Sequence, residues 1–284
     1  MKVGLIPAFG GGIQGDGAYV AAVAREAENA GFDSLWVGEH VVLPVHARQA
    51  YPGSREGLQA PSTEPLPDPL DWLAFAAGCT STLLLGTAVL LAPLHHPLIL
   101  AKRIATLDRL SGGRVLLGVG IGWNEQEYEQ VGVEFRTRGK RMDDTIGALR
   151  ELWTDDQAEY HGEFVDFEPV YSAPKPVQNP LPVLIGGDSD AAAKRAGRLG
   201  NGFLPFERDY DRLARAIEIA RTAASDAGRD PDELEITCLG SVSRARVEKL
   251  AALGVHRILL FLSAREPESI AVLGERARVA VESL

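Results

Sequence analysis

The chain has 284 residues, with 29 Lys and Arg against 39 Asp and Glu, and a formal net charge of −10. That balance argues against a general nucleic-acid binder, which needs surplus cations to displace counterions from phosphates, and against attraction to an anionic membrane surface. With 45% hydrophobic and 24% charged residues the composition is globular, and no run reaches the ~18 apolar residues of a membrane span.

The opening MKVGLIPAFGGG lacks the long apolar stretch of a secretory signal, so a cytoplasmic location is expected. Cys79 and Cys238 have no metal-ligand or redox spacing. Short apolar runs alternate with helical stretches along the whole chain, which predicts βα units and a parallel sheet. The first strand, Lys2–Ala8, runs into AFGGGIQG, which is not the G-x-G-x-x-G turn of a doubly wound dinucleotide fold. Helix Tyr19–Ala30 follows and stops at Gly31, a residue suited to the helix C-terminus.

The second strand, Ser34–Gly38, ends at Glu39 and His40. A long Pro-, Gly- and Ser-rich connection then spans 40–69, where a substrate lid is expected, before helix Leu70–Cys79. Trp72 and Phe75 beside it hint at an apolar pocket. Strand Leu83–Leu90 precedes LAPLHHPLIL and helix Leu98–Leu110. His95 and His96 invite a metal reading with His40, but no carboxylate or thiolate stands at recognisable spacing, so packing or capping is expected and no metal.

Strand Arg114–Val119 carries Gly118, Gly120 and Gly122 in GVGIGW, and alternate glycines there admit a flat ligand or a second backbone. Trp123 and Asn124 open the next loop, and helix Arg141–Trp153 follows RTRGKRMDD. The connection 155–179 contains HGEFVDFEPV, which reads as a small hairpin. Strand Pro182–Ile185 ends in Gly186-Gly187-Asp188-Ser189, just before helix Ala191–Leu199.

A glycine turn entering a helix N-terminus suits a phosphate, with Arg138 or Arg141 as compensating charge, although Asp188 and Asp190 would repel it unless they point away. Ser189 or Asp190 also serves as a plain helix cap. Strands Gly202–Pro205, Leu234–Leu239 and Arg257–Phe261 complete the set, with helices Asp211–Ala227, Val247–Leu253 and Pro267–Val281. Eight strands at about 35 residues per unit are the count of a (β/α)8 TIM barrel covering 1–284 as one domain. No nucleophile elbow, Walker motif or recognisable glycosidase pair is present.

Five segments together resemble the bacterial luciferase-like monooxygenase superfamily, and within it the coenzyme F420-dependent oxidoreductase branch. They are LWVGEH, the long stretch from DPLDWLAF through LDRLSGGRVLLGVGIGWNEQE to VGVEF, RGKRMDD, PVLIGG and RAGRLGNGF. The resemblance covers about Lys2 to Phe203 and implies a luciferase-like TIM barrel binding F420 or FMN at its C-terminal face. It implies Glu39 and His40 near the reactive ring, with Glu39 orienting His40 as the catalytic pair. It places a non-proline cis peptide at Ala88-Val89, with Thr87, Ala88 and Val89 behind the ring. Gly118, Gly120, Gly122 and Trp123 would line the cofactor, and Gly186, Gly187, Asp188, Ser189 and Arg138 its phosphate.

The departures are Glu39 and Phe203, where many relatives have Asp and Trp, and a short segment at 241–246. The expected reaction is hydride transfer to or from a small-molecule substrate on F420. The alternatives are an FMN-dependent monooxygenase served by a separate flavin reductase, and a non-catalytic flavin-binding barrel. A homodimer follows from the habit of the family.

Overall fold

A computed structural model describes residues 1–8, 15–46, 66–263 and 266–282. Eight parallel strands close in the order β1-β10-β9-β8-β7-β4-β3-β2. They are β1 (Lys2–Ile6), β2 (Ser34–Val37), β3 (Leu84–Thr87), β4 (Val115–Val119), β7 (Val183–Gly186), β8 (Gly202–Leu204), β9 (Glu235–Leu239) and β10 (Arg257–Phe261). Closure is made by β1 and β10, in register from Lys2 opposite Arg257 to Ile6 opposite Phe261. These are the eight strands expected from the sequence, most of them shorter by one or more residues.

Helices follow each strand: α1 (Gly17–Asn29), α2 (Pro69–Ala77), α3 (Pro97–Ser111), α4 (Glu125–Val131) with α5 (Arg138–Thr154), α6 (Asp190–Leu199), α7 (Tyr210–Asp226), α8 (Arg244–Ala252) and α9 (Ser269–Val281). Their ends have local causes. Asp16, Asp68, Asn124, Ser189 and Asp209 each accept a first-turn N–H as N-caps. Gly31 and Gly112, at φ 79° and 71°, turn the chain out of α1 and α3 in the left-handed region. The stretch HGEFVDFEPV forms the antiparallel hairpin β5 (Ala158–His161) and β6 (Asp166–Val170). Most of the 40–69 connection, residues 47–65, lies outside the described residues.

Side-chain alternation divides the core in two. Outward residues such as Leu35, Val37, Leu117, Val119, Ile185 and Phe203 join the large core beneath the helices. Inward residues Ile6, Trp36, Leu116, Leu184, Leu204, Leu239 and Leu259 fill the barrel. Trp36 takes up the space of two missing side chains, since a Cβ on Gly86 or Gly4 would lie 2.3 or 2.6 Å from its ring. At the N-terminal end, fully buried Arg257 pairs with Asp33 and Glu235 and plugs the floor. Side chains therefore fill the barrel interior below its C-terminal end, the end at which barrel enzymes carry their sites. Among the described residues, no helix is long and apolar enough to cross a membrane.

Candidate active site

His40 sits on the inward register of β2, in step with Ser34, Trp36 and Gly38, and so faces the mouth. Its ring meets the edge of Trp123 at 6.0 Å between centroids. Its Nδ1 lies 3.0 Å from Oε2 of Glu127, which is 1% exposed. The other oxygen of Glu127 accepts from the Val41 amide at 2.6 Å and the Val42 amide at 3.4 Å.

Glu39 does not orient His40, which corrects the expected pairing. It falls on the outward register with Leu35 and Val37, because adjacent residues of an extended chain face opposite sides. Its Oε2 accepts from the Leu91 amide at 2.6 Å, and its Oε1 lies 2.8 Å from His95 Nε2. Glu39 is thus a buried clamp on the β3–α3 loop. His95, expected to pack or cap, is its partner. His96 precedes α3 without a side-chain capping bond. Among the described residues, no group of three or more His, Cys, Asp or Glu could hold a metal ion.

The peptide Ala88-Val89 is cis. The β3–β4 ladder stops at this point and resumes at a bridge between Leu90 and Val119. Ala88 and Val89 are half-buried and pack on the barrel-interior cluster. The Thr87 side chain is 1% exposed and its hydroxyl donates to the Gly118 carbonyl at 2.7 Å.

The glycines of β4 likewise face the chain itself. A Cβ on Gly118 would stand 2.0 Å from the Thr87 carbonyl oxygen, and one on Gly120 would stand 2.4 Å from Val89. A Cβ on Gly186 would meet Val89 at 2.5 Å. The Val89 side chain is wedged between these two glycines and roofs the interior. The close approach that Gly118 and Gly120 permit is of β4 to the end of β3. Gly122, at φ 66°, turns the chain toward Trp123.

On the far side, Gly187 has φ 123° and leads into α6, whose N-cap is Ser189, accepting from Ala192 N at 3.2 Å. Asp188 turns away toward β8 and accepts from the Phe206 amide at 2.7 Å. Desolvation beside that strand end pushes its carboxyl above the ordinary range, against the bond from Phe206. Asp190 is paired with Arg215 at 3.1 Å. Arg138 opens α5 beside α6, since Arg195 of α6 donates to Gly139 O at 3.1 Å. The Arg138 guanidinium lies 3.6 Å over the Phe135 ring, donates to Phe135 O, and keeps a buried Nε without a partner. Arg141 faces elsewhere, against Phe164 and a cavity of about 320 Å³ between the β3–α3 loop and the hairpin.

One direct observation at the end of β4 fits a bound group that carries a hydrogen-bond acceptor. Asn124 is 2% exposed, its oxygen caps α4, and its Nδ2 has no partner. A buried amide donor left open costs free energy unless a ligand answers it. The α6 N-terminus and Arg138 lie on the side where a phosphate would be received. Glu127 was missed from the sequence because it stands in the short polar stretch EQEYEQV, 87 residues from His40. The structure turns it across to β2.

Comparison with known proteins agrees with this geometry. A model of the luciferase-like monooxygenase family matches residues 3–278. An uncharacterized protein of Mycobacterium tuberculosis (strain ATCC 25618 / H37Rv) is 36% identical over 258 residues, 90% of this chain and 91% of that one. An F420-dependent glucose-6-phosphate dehydrogenase of Amycolatopsis mediterranei is 33% identical over 218 residues, 74% of this chain and 61% of that one. Among solved structures, the coenzyme F420 dependent tetrahydromethanopterin reductase of Methanopyrus kandleri superposes with a TM-score of 0.76 at 16% identity, covering 98% of both chains.

Proposed function

The chain belongs to the luciferase-like monooxygenase family, and from that premise we propose that it binds coenzyme F420 at the barrel mouth and transfers hydride to or from a small organic substrate. The observation that carries the choice of F420 is the 33% identity, over 74% of the chain, to a dehydrogenase named for that coenzyme. Bound F420 would supply the hydride-carrying ring, a chemistry that side chains do not provide.

The residues of this chain would do the rest. Ala88, Val89 and Trp123 would bound the ring, and the open Nδ2 of Asn124 would donate to it. The Gly187 turn, the α6 N-terminus and Arg138 would receive the phosphate. His40 would hold or release a proton at Nε2, which has no protein partner among the described residues, while its Nδ1 is engaged by Glu127. Val89, packed into the gaps at Gly120 and Gly186, closes the interior so that chemistry stays at the mouth.

Fluorescence titration of the purified apo-protein with F420 and, separately, with FMN tests this reading. Tight F420 binding with weak FMN binding is expected. The reverse would make the protein an FMN-dependent monooxygenase working with a separate flavin reductase, and binding of neither would remove the cofactor from the barrel. The His40→Ala variant is expected to bind F420 as the wild type does and to lose most turnover in an F420-coupled substrate screen. Full turnover in that variant would overturn the role of His40.

A further inference from the structure

We propose that Glu127 is a positioning residue that fixes His40 as its Nδ1–H tautomer, leaving Nε2 as the proton acceptor that faces a bound substrate. This deepens the proposed function and rests on His40 as the proton-handling group.

The contacts of Glu127 constrain where its protons can sit. Its two oxygens face the Val41 amide, the Val42 amide and His40 Nδ1. The first two are donors only, so the oxygen that faces them must accept. A proton on Oε2 donated to an Nδ1 lone pair would also fill the contact, but imidazole is the stronger base of the two group types, so the shared proton belongs on Nδ1. The ionised carboxylate satisfies all three contacts at once, and it requires a hydrogen on Nδ1. In the other tautomer the Nδ1 lone pair would face a buried carboxylate, and the bond would be lost. A charge-assisted hydrogen bond at this burial biases the tautomer ratio by roughly ten- to a hundredfold.

The carboxylate is held firmly. Asn124 caps the helix one turn before it, and Gly132, at φ 75°, ends the helix just after. The neighbouring Tyr128 is fully buried, bonds to Ile121 O, and has its hydroxyl pushed far above the ordinary range by burial, so it stays a neutral donor. A rigid partner on α4 therefore orients a histidine just past the end of β2, as a neighbouring carboxylate orients the imidazole in other histidine-based sites.

The competing role is that of a clamp on the chain at Val41 and Val42. Glu127→Gln separates the two. The amide is isosteric and its oxygen can still accept from Val41 N, but its NH2 now faces His40 and favours a hydrogen on Nε2 instead.

The test is the long-range 1H–15N spectrum of the full chain with 15N-labelled histidine, recorded at alkaline pH. The six histidine signals are reduced by one in His40→Gln, which identifies the signal. The wild type is expected to show Nδ1–H with Nε2 unprotonated. Glu127→Gln is expected to move at least half of the population to Nε2–H, and Glu127→Asp to restore the wild-type pattern in part. A wild-type signal in the Nε2–H form overturns the proposal by itself, even where a variant fails to fold. An unaltered His40 signal in Glu127→Gln, with shifts confined to the Val41 and Val42 amides, makes Glu127 a clamp only. Failure of F420 to bind would overturn the cofactor reading and leave this spectrum unaffected, so the two failures are distinguishable.

Discussion

Replacing Gly118 by Ala separates a packing glycine from a ligand-binding one. The new Cβ would fall 2.0 Å from the Thr87 carbonyl oxygen and 3.1 Å from a Leu204 methyl. The first neighbour is backbone and cannot rotate aside, so β3 and β4 must part by about an ångström. Overpacking of this kind costs about 1–3 kcal/mol. The same displacement stretches the bond from the Thr87 hydroxyl to Gly118 O, 2.7 Å long, and the Leu90 N–H bond to that oxygen, 2.9 Å long. Leaving the buried Thr87 hydroxyl unpaired adds about 1–3 kcal/mol. The entropy that alanine removes from the unfolded chain returns only about 0.4–1 kcal/mol. The net loss is about 3 kcal/mol, which for a chain of this size lowers the melting temperature by roughly 6–12 °C. Differential scanning calorimetry of the apo-protein measures it. Because no cofactor is present, a ligand role cannot produce the loss. A Gly118→Ala variant that melts within about a degree of the wild type would refute the packing account and return these glycines to the cofactor.

Three other perturbations follow from the same contacts. Burial acts to raise the Glu28 carboxyl, but the amides of Ser81, Thr82 and Leu83 and the Thr82 hydroxyl outweigh it and hold it at about 2, against an ordinary 4.5. A folded-state value below the unfolded one stabilises fully above the unfolded pKa and fades as pH falls through about 2. Urea unfolding between pH 5 and pH 2 should therefore show a flatter pH dependence for Glu28→Gln than for the wild type. Identical slopes would refute it. Arg114 is buried and donates to Ser111 O, Thr80 Oγ1, Leu83 O, Ala77 O and Thr80 O. Arg114→Lys cannot reach them all and should cost about 2–4 kcal/mol in denaturant unfolding. Asp188→Asn keeps the acceptor for Phe206 N and removes a negative charge beside the α6 N-terminus. It should tighten F420 binding several-fold in the fluorescence titration, and unchanged affinity would place the phosphate elsewhere.

The barrel could be read from the sequence because its determinants are local. Strands buried on both faces are short continuous apolar runs, and among the described residues six helices begin at Asp, Asn or Ser and five end at a glycine with positive φ. Helix α4 escaped because seven residues, EQEYEQV, carry too little periodicity to be told from a polar loop.

The site was only half legible, for a different reason. His40 could be placed at the mouth, since it follows a strand end, but adjacency in sequence suggested Glu39 as its partner. Alternation forbids that partnership: one residue faces the mouth and the other the helix layer, where it takes His95. The true neighbour of His40 is 87 residues away, on a helix after another strand. Such a pairing exists only once β2, β3 and β4 are adjacent in the closed barrel. The glycines pose the same problem, because a missing side chain states that something comes close without stating what. In β4 the close neighbour is the end of β3. The β3 tip, pressed into the gaps of Gly118, Gly120 and Gly186, sets the height of Ala88 and Val89 beneath whatever binds above them.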